Sequence, residues 1–365
     1  MQVCRAALLG AGLTLAACDV ASFANDPKPI LEQTWNLPAS STSISVASLL
    51  PSGVSIYSTP ASNPADSSAF QINLANVNST RRAGDDCAQC ETLHGTNAVK
   101  PAFTIAVGNS SALPTNVVSG SLVGGTVNYS AVNNLSFDPL RVNTVTANPQ
   151  GYMIVVIHSG TQILGRDSIN GASMAFPAGT TLSRTIALSA GVITGPIAVD
   201  LTVSSPQGDH IEFIDANGTM NIDASIANLR VADVRVNVPN TSITNTADTL
   251  DLADLDRAIT DKVTAATLEM TIDNPWTVAG NLNIDFNYAP AQSVSKTIVL
   301  PAATAPPAAQ VRSVSLSAAD MQQLFGHKVV LSVSGGVSSA APVTVTPKQS
   351  VTIANRLILT IRTGS

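Results

Sequence analysis

Three stretches of this chain keep a strict period of two. Ile197, Val199, Leu201 and Val203 alternate with Ala198, Asp200, Thr202 and Ser204. Val329, Leu331 and Val333 repeat that pattern further on, and Leu282, Ile284, Phe286 and Tyr288 alternate with Asn283, Asp285 and Asn287. Successive side chains of a strand point to opposite faces, so such a segment lies over a core with its other face in water. Several strands of this kind, with turn formers between them and no helical layers, predict an all-β protein built of sandwiches.

The first two stretches belong to an internal duplication. Thr185–Ala190, Gly195 and Ile197–Val203 match Ser313–Ala318, Gly326 and Lys328–Val333. Upstream, Phe176-Pro177-Ala178 matches Leu300-Pro301-Ala302, and Thr115–Leu122 matches Thr260–Leu268. Asn134 ahead of Phe137 corresponds to Asn274 ahead of Trp276, and Met220–Val231 corresponds to Ser350–Ile361. Order and approximate spacing are kept throughout, which favours a duplicated unit over convergent composition. The two copies are expected at 112–240 and 257–365.

Around the copies the pattern is weaker. Residues 34–111 read as an irregular β-rich region, with a polar loop at 78–97 that holds Arg81, Arg82, Asp85, Asp86 and the pair Cys87 and Cys90. A loop so long and polar is expected to be exposed. Leu252, Leu255, Ile259 and Val263 recur at helical spacing among aspartates. The duplication aligns that segment's end with a non-helical one. Residues 241–256 are therefore expected as an acidic linker with room for one helical turn, and 260–273 as a strand.

Charged residues make up only 12% of the chain, its net charge is −6, and it has no long basic run, which argues against nucleic acid as a partner. The usual catalytic patterns are missing. Gly171-Ala172-Ser173-Met174-Ala175 lacks the second glycine of a nucleophile elbow, and no zinc-helix, phosphate-loop or dinucleotide fingerprint occurs. The expectation is a non-enzyme with no cofactor and no metal. Cys87-x-x-Cys90 with His94 has too few ligands for a closed zinc site. A disulfide is favoured, with metal binding and redox chemistry as alternatives. Asp251, Asp254 and Asp256, and likewise Asp209, Glu212 and Asp215, lack the order of a calcium loop and are expected as solvated acids.

The chain's start has the layout of an export signal: Arg5, then the apolar run Ala6–Ala17. That run is shorter than the roughly 20 residues that span a bilayer. It ends in Leu15-Ala16-Ala17-Cys18, which resembles the lipobox of bacterial lipoproteins. The resemblance implies a signal peptide at 1–17, acylation of Cys18, and a chain lipid-anchored to a bacterial membrane on its periplasmic or cell-surface face. Residues 18–33 carry no periodicity and are expected as a flexible tether.

Asn274-Pro275-Trp276, followed by the alternating strand from Leu282, resembles the Asn-Pro-aromatic signature of LEA type 2 and WHy domains. The likeness covers 260–365. It implies Ig-like or fibronectin-like sandwiches and brings no catalytic residues. The function expected from the whole sequence is a membrane-anchored envelope lipoprotein serving as a structural or binding scaffold for an envelope protein. A carrier of lipid or another apolar ligand is the alternative.

Overall fold

The computed structural model describes residues 31–58, 68–145, 147–255, 257–303 and 308–363. The N-terminal part runs through β1 (Leu31–Ser45), a 3-10 turn (Val46–Leu49), β2 (Val54–Ile56), β3 (Phe70–Ile72), β4 (Val77–Arg82), α1 (Ala83–Asp86), α2 (Ala88–Thr92), β5 (Thr96–Val99) and β6 (Phe103–Ser111). Next come β7 (Val117–Asn134), β8 (Tyr152–Ser159), β9 (Gln162–Asn170), β10 (Thr181–Ala187), β11 (Gly191–Ile193), β12 (Ile197–Ser205), β13 (Ile211–Ile214) and β14 (Thr219–Val236). The remainder supplies β15 (Thr241–Asp251), α3 (Arg257–Thr260), β16 (Val263–Asp273), β17 (Ala279–Ala289), β18 (Gln292–Leu300), β19 (Gln310–Leu316), α4 (Ala318–Leu324), β20 (Lys328–Ser338), β21 (Val343–Val345) and β22 (Ser350–Thr363).

The protein is all-β, in two antiparallel sandwiches. Sandwich one layers β10-β7-β14, extended by β4, β3 and β2, against β6-β12-β8-β9. Sandwich two layers β1-β22-β16-β19 against β15-β20-β17-β18. The alternating stretches form the inner faces: Ile197, Val199, Leu201 and Val203 are fully buried, and so are Leu282 and Phe286. Burying a side chain of this kind contributes about 1.5–3 kcal/mol, so these rows dominate each core.

Strand order repeats between the sandwiches. β7, β8, β9, β10, β12 and β14 occupy the places that β16, β17, β18, β19, β20 and β22 occupy in the second. β6 flanks β12 as β15 flanks β20, and β4 flanks β14 as β1 flanks β22. The flanking strand of sandwich two is thus the first described strand of the chain. It pairs with β22 from Leu31↔Thr363 to Ser45↔Ser350, with a register shift between Pro38 and Ser41, where proline offers no N–H to the ladder. Sandwich one is inserted between β1 and the rest of sandwich two.

Three expected boundaries change accordingly. Residues 34–111 divide between the two sandwiches: β1 completes sandwich two while β2, β3, β4 and β6 complete sandwich one. Of the expected tether 18–33, residues 31–33 already lie in β1, and 18–30 fall outside the described residues. The acidic segment 241–256 is no linker: 241–251 is the edge strand β15, paired with β20. An edge strand needs few apolar anchors, and Ile243 and Leu250 suffice. One helical turn, α3, follows it.

The sandwiches meet where β21 pairs with Val234–Val236 of β14 and the Ser339 N–H donates to the Val238 carbonyl at 3.0 Å. From that junction β14 leads away to Thr219, and β22 leads away to Thr363. β14 has 18 residues and β22 has 14, so at about 3.3 Å per residue each runs on the order of 50 Å. Leu31, beside Thr363, and the β13–β14 turn therefore sit at the two far ends of the strand path.

Candidate functional site

The end of sandwich one away from the junction concentrates the unusual chemistry. After β4 the chain folds into α1 and α2 and returns as β5, which pairs with β13 as a two-stranded ribbon, Thr96↔Ile214 to Val99↔Ile211. The Ala83 and Gly84 N–H groups donate to the carbonyls of Gly218 and Ala216 at 2.8 and 2.9 Å, and Gly95 donates to Ile214 at 2.9 Å. These bonds clamp the Asp215-Ala216-Asn217-Gly218 turn, which the sequence marks as a turn. His94 adds to the clamp, its ring nitrogens 3.2 Å from the Ala216 nitrogen and 3.3 Å from the Asn217 amide.

Cys87 and Cys90 are joined as a disulfide with their Cα atoms 5.2 Å apart. They are not on an exposed loop: Cys87 is 4% exposed and Cys90 1%. Ala83, Cys87, Cys90 and the partly buried Leu93 recur at helical spacing and face the core. That spacing was the legible signal for two short helices, and the polar residues between hid it. Arg81 pairs outward with Asp86 at 2.9 Å, and Arg82 reaches Asp85, Glu91 and the Asn217 amide oxygen.

Lys100, just beyond β5, is fully buried. Its ammonium donates to Ser205 Oγ at 2.8 Å and to the carbonyls of Pro206 and Pro101 at 2.5 and 3.3 Å, and lies 5.0 Å from the Phe103 ring centroid. Desolvation lowers its pKa to about 8, against the opposing pull of Glu212 and Asp138. Sequence reasoning had not singled it out. A lysine beside a serine can activate a nucleophile, but here Ser205 is 2% exposed and its hydroxyl donates to the Pro139 carbonyl at 2.7 Å. The pair ties three backbone segments together.

The other polar groups are dispersed. His158 contacts Asp200 at 2.7 Å on the outer face of the β12–β8 sheet, and that hydrogen bond raises its pKa. Tyr129 donates to Asp167 at 2.7 Å, where Arg184 also lies 3.2 Å away. Asp209 accepts from the Thr144 N–H and hydroxyl at 3.1 Å and, like Glu212, lies against His210, whereas Asp215 turns to His94. Asp251 pairs with Lys328 at 3.3 Å, and Asp256 lies outside the described residues. Among the described residues no group of three or more His, Cys, Asp or Glu is placed to hold a metal ion, and no helix is long and apolar enough to cross a membrane. Cys18 lies outside the described residues. At the ribbon, Val99, Ile211 and Phe213 are exposed, Phe213 to 50%.

No family model and no curated protein matches this chain. Among solved structures it is similar to a protein of Parabacteroides distasonis described as secreted, with 8% identity over 90% of this chain and 99% of that one, at a TM-score of 0.34. The PBSX exported protein XepA aligns at 11% identity over 84% of this chain and 94% of its own, with a TM-score of 0.17. The glycosylasparaginase PNGase F of Flavobacterium meningosepticum aligns at 10% identity over 80% of this chain and 100% of its own, with a TM-score of 0.19.

Proposed function

We propose that this chain is an exported lipoprotein, acylated at Cys18, that serves as a non-enzymatic scaffold in a bacterial envelope. One observation carries the reading: the first described strand after Cys18 is β1, whose start lies at the far end of the strand path from the ribbon of β5 and β13. A lipid at Cys18 would hold sandwich two near the membrane and present the clamped tip of sandwich one, with exposed Ile211 and Phe213, to a protein partner. The inner strand faces are spent on the two cores, which favours a scaffold over a carrier.

The test has two arms. Metabolic labelling with a palmitate analogue should mark the wild type and leave Cys18→Ser unmarked; equal labelling of both would end the anchor reading. Native mass spectrometry of gently purified protein should show the bare acylated chain. A stoichiometric apolar ligand would favour a carrier, with the partly exposed Tyr152, Ile154 and Val156 on the outer face of β8 as the place to look.

A further inference from the structure

The start of β1 has an anomaly. Residues 31–36 are hydrogen-bonded along β22, yet every one of these six side chains is exposed. Two of them are large and apolar: Leu31 is 57% exposed and Trp35 37%. Trp35 pairs with Leu359 and Gln33 with Ile361, both buried on β22. Trp35 therefore stands on the core-facing side of its sheet, where the opposite layer no longer covers the edge. Among the described residues its indole N–H reaches only Gln33 Oε1, at 3.4 Å.

Other apolar groups share that end. The pairings Val263↔Ile361 and Asp251↔Lys328 bring the start of β16, the end of β15 and the start of β20 to the same side as Leu31. The helical turn α3 and the loops beside it carry Leu255, Ile259 and Phe325, all only partly buried. Leu255 and Phe325 line an open cleft of about 400 Å³ with Thr260, Asp261 and Gln322. Exposed charges of the described residues at this end are of both signs, Glu32, Asp251, Asp254 and Asp261 against Lys262, Lys328 and Arg362, so among these no strong attraction to an acidic partner is built in.

We infer that this end of sandwich two rests on the phospholipid surface, with Trp35 at the level of the headgroups. The inference rests on the acylation of Cys18. Thirteen steps along the chain separate Cys18 from Leu31, and at no more than ~3.6 Å each they reach about 45 Å. A lipid at Cys18 thus confines this end to the neighbourhood of the bilayer. An indole suits that boundary because its body is apolar while its N–H still finds a polar partner there. Mixed charge and exposed Leu31 suit a zwitterionic surface.

The experiment uses the two tryptophans, Trp35 and the 1%-exposed Trp276. The full chain from Cys18 onward is coupled through that thiol to a maleimide phospholipid in phosphatidylcholine vesicles, so native acylation is not needed. Part of the phosphatidylcholine carries bromine on its acyl chains. Wild-type emission should lose the share of Trp35 and shift to the blue. Trp35→Phe should remove the quenchable share and leave Trp276 unquenched. Phe213→Trp in the Trp35→Phe background, which puts an indole at the opposite end, should stay unquenched.

Unquenched wild type, or Phe213→Trp quenched as strongly as the wild type, would overturn the inference, while acyl groups found on the native protein would leave the anchor intact. Native protein that is processed but carries no acyl group would overturn both.

Discussion

Asn133 and Asn274 hold the same hydrogen-bonding post in the two sandwiches. Asn133 Nδ2 donates to the Phe137 carbonyl at 3.0 Å and to the Phe176 carbonyl, and its Oδ1 accepts from the Leu135 N–H at 2.9 Å. Asn274 Nδ2 donates to Val278 and Pro301 at 3.0 and 2.7 Å, and its Oδ1 accepts from Trp276 at 3.0 Å. Both are buried. Aligning Asn134 with Asn274 was therefore one residue out; Asn134 is exposed at the end of β7.

A prediction for these posts follows from what each asparagine satisfies. Asn→Ala leaves two carbonyls and one N–H unpaired, at about 1–3 kcal/mol for each group that water cannot reach. Asn133→Ala should lower the unfolding transition of sandwich one and Asn274→Ala that of sandwich two. Urea melts can follow sandwich two through Trp276. A shift of sandwich two's transition by Asn133→Ala as large as that caused by Asn274→Ala would show that the two do not unfold separately.

The insertion of sandwich one predicts how fragments behave. Residues 257–365 lack both β1 and β15 and leave the outer edges of β22 and β20 open, so this piece should not fold by itself, contrary to what a simple tandem arrangement implies. Residues 241–363 restore β15 and still lack β1. This longer fragment should gain a cooperative transition when a synthetic peptide of residues 31–45 is added, because the peptide supplies the missing ladder from Leu31↔Thr363 to Ser45↔Ser350. Circular dichroism with and without peptide checks this; a fully cooperative melt of 257–365 alone would refute it.

What could be read in the sequence follows the physics of each element. β12 and β17 were legible because a two-layer sandwich forces strict alternation on a central strand. β1 was not: its partner lies at the opposite end of the chain, and its exposed first half has no buried face to alternate. β15 was misread because an edge strand can be acidic. Lys100 gave no signal, since the carbonyls and rings that hold its ammonium come from segments distant in sequence. The disulfide pair was legible and its burial was not.

The burial of the cysteines sharpens their substitution. Closing so small a ring restrains little unfolded-chain entropy, about 2 kcal/mol at most. Replacing both Cys87 and Cys90 by alanine should lower the melting temperature by several degrees, at about 2–4 °C per kcal/mol for a domain of this size. Replacing both by serine should cost more, because two hydroxyls would enter a site closed to water, at about 1–3 kcal/mol for each one left unpaired. Calorimetry compares the pairs, and intact mass should show a gain of two hydrogens on reduction of the wild type. Equal melting of the serine and alanine variants would mean that the site opens to water.

Lys100 makes a prediction about pH. Its pKa is lowered from 10.5 to about 8 in the folded protein, by burial first of all. Below pH 8 both folded and unfolded chains carry the proton, and folding bears the whole cost of burying the charge. Between about 8 and 10.5 the unfolded chain binds more protons than the folded one at this site, so the Lys100 contribution to stability must rise with pH. Above 10.5 both forms are neutral there and the rise ends. Other groups titrate in the same window, so the comparison is with Lys100→Met, which keeps an unbranched side chain of nearly the same length and loses the charge. Urea unfolding of sandwich one across that window should show the wild type gaining stability relative to Lys100→Met. Parallel pH profiles for the two proteins would mean that the Lys100 ammonium keeps its ordinary pKa, held by Ser205 and the Pro206 carbonyl strongly enough to offset its burial.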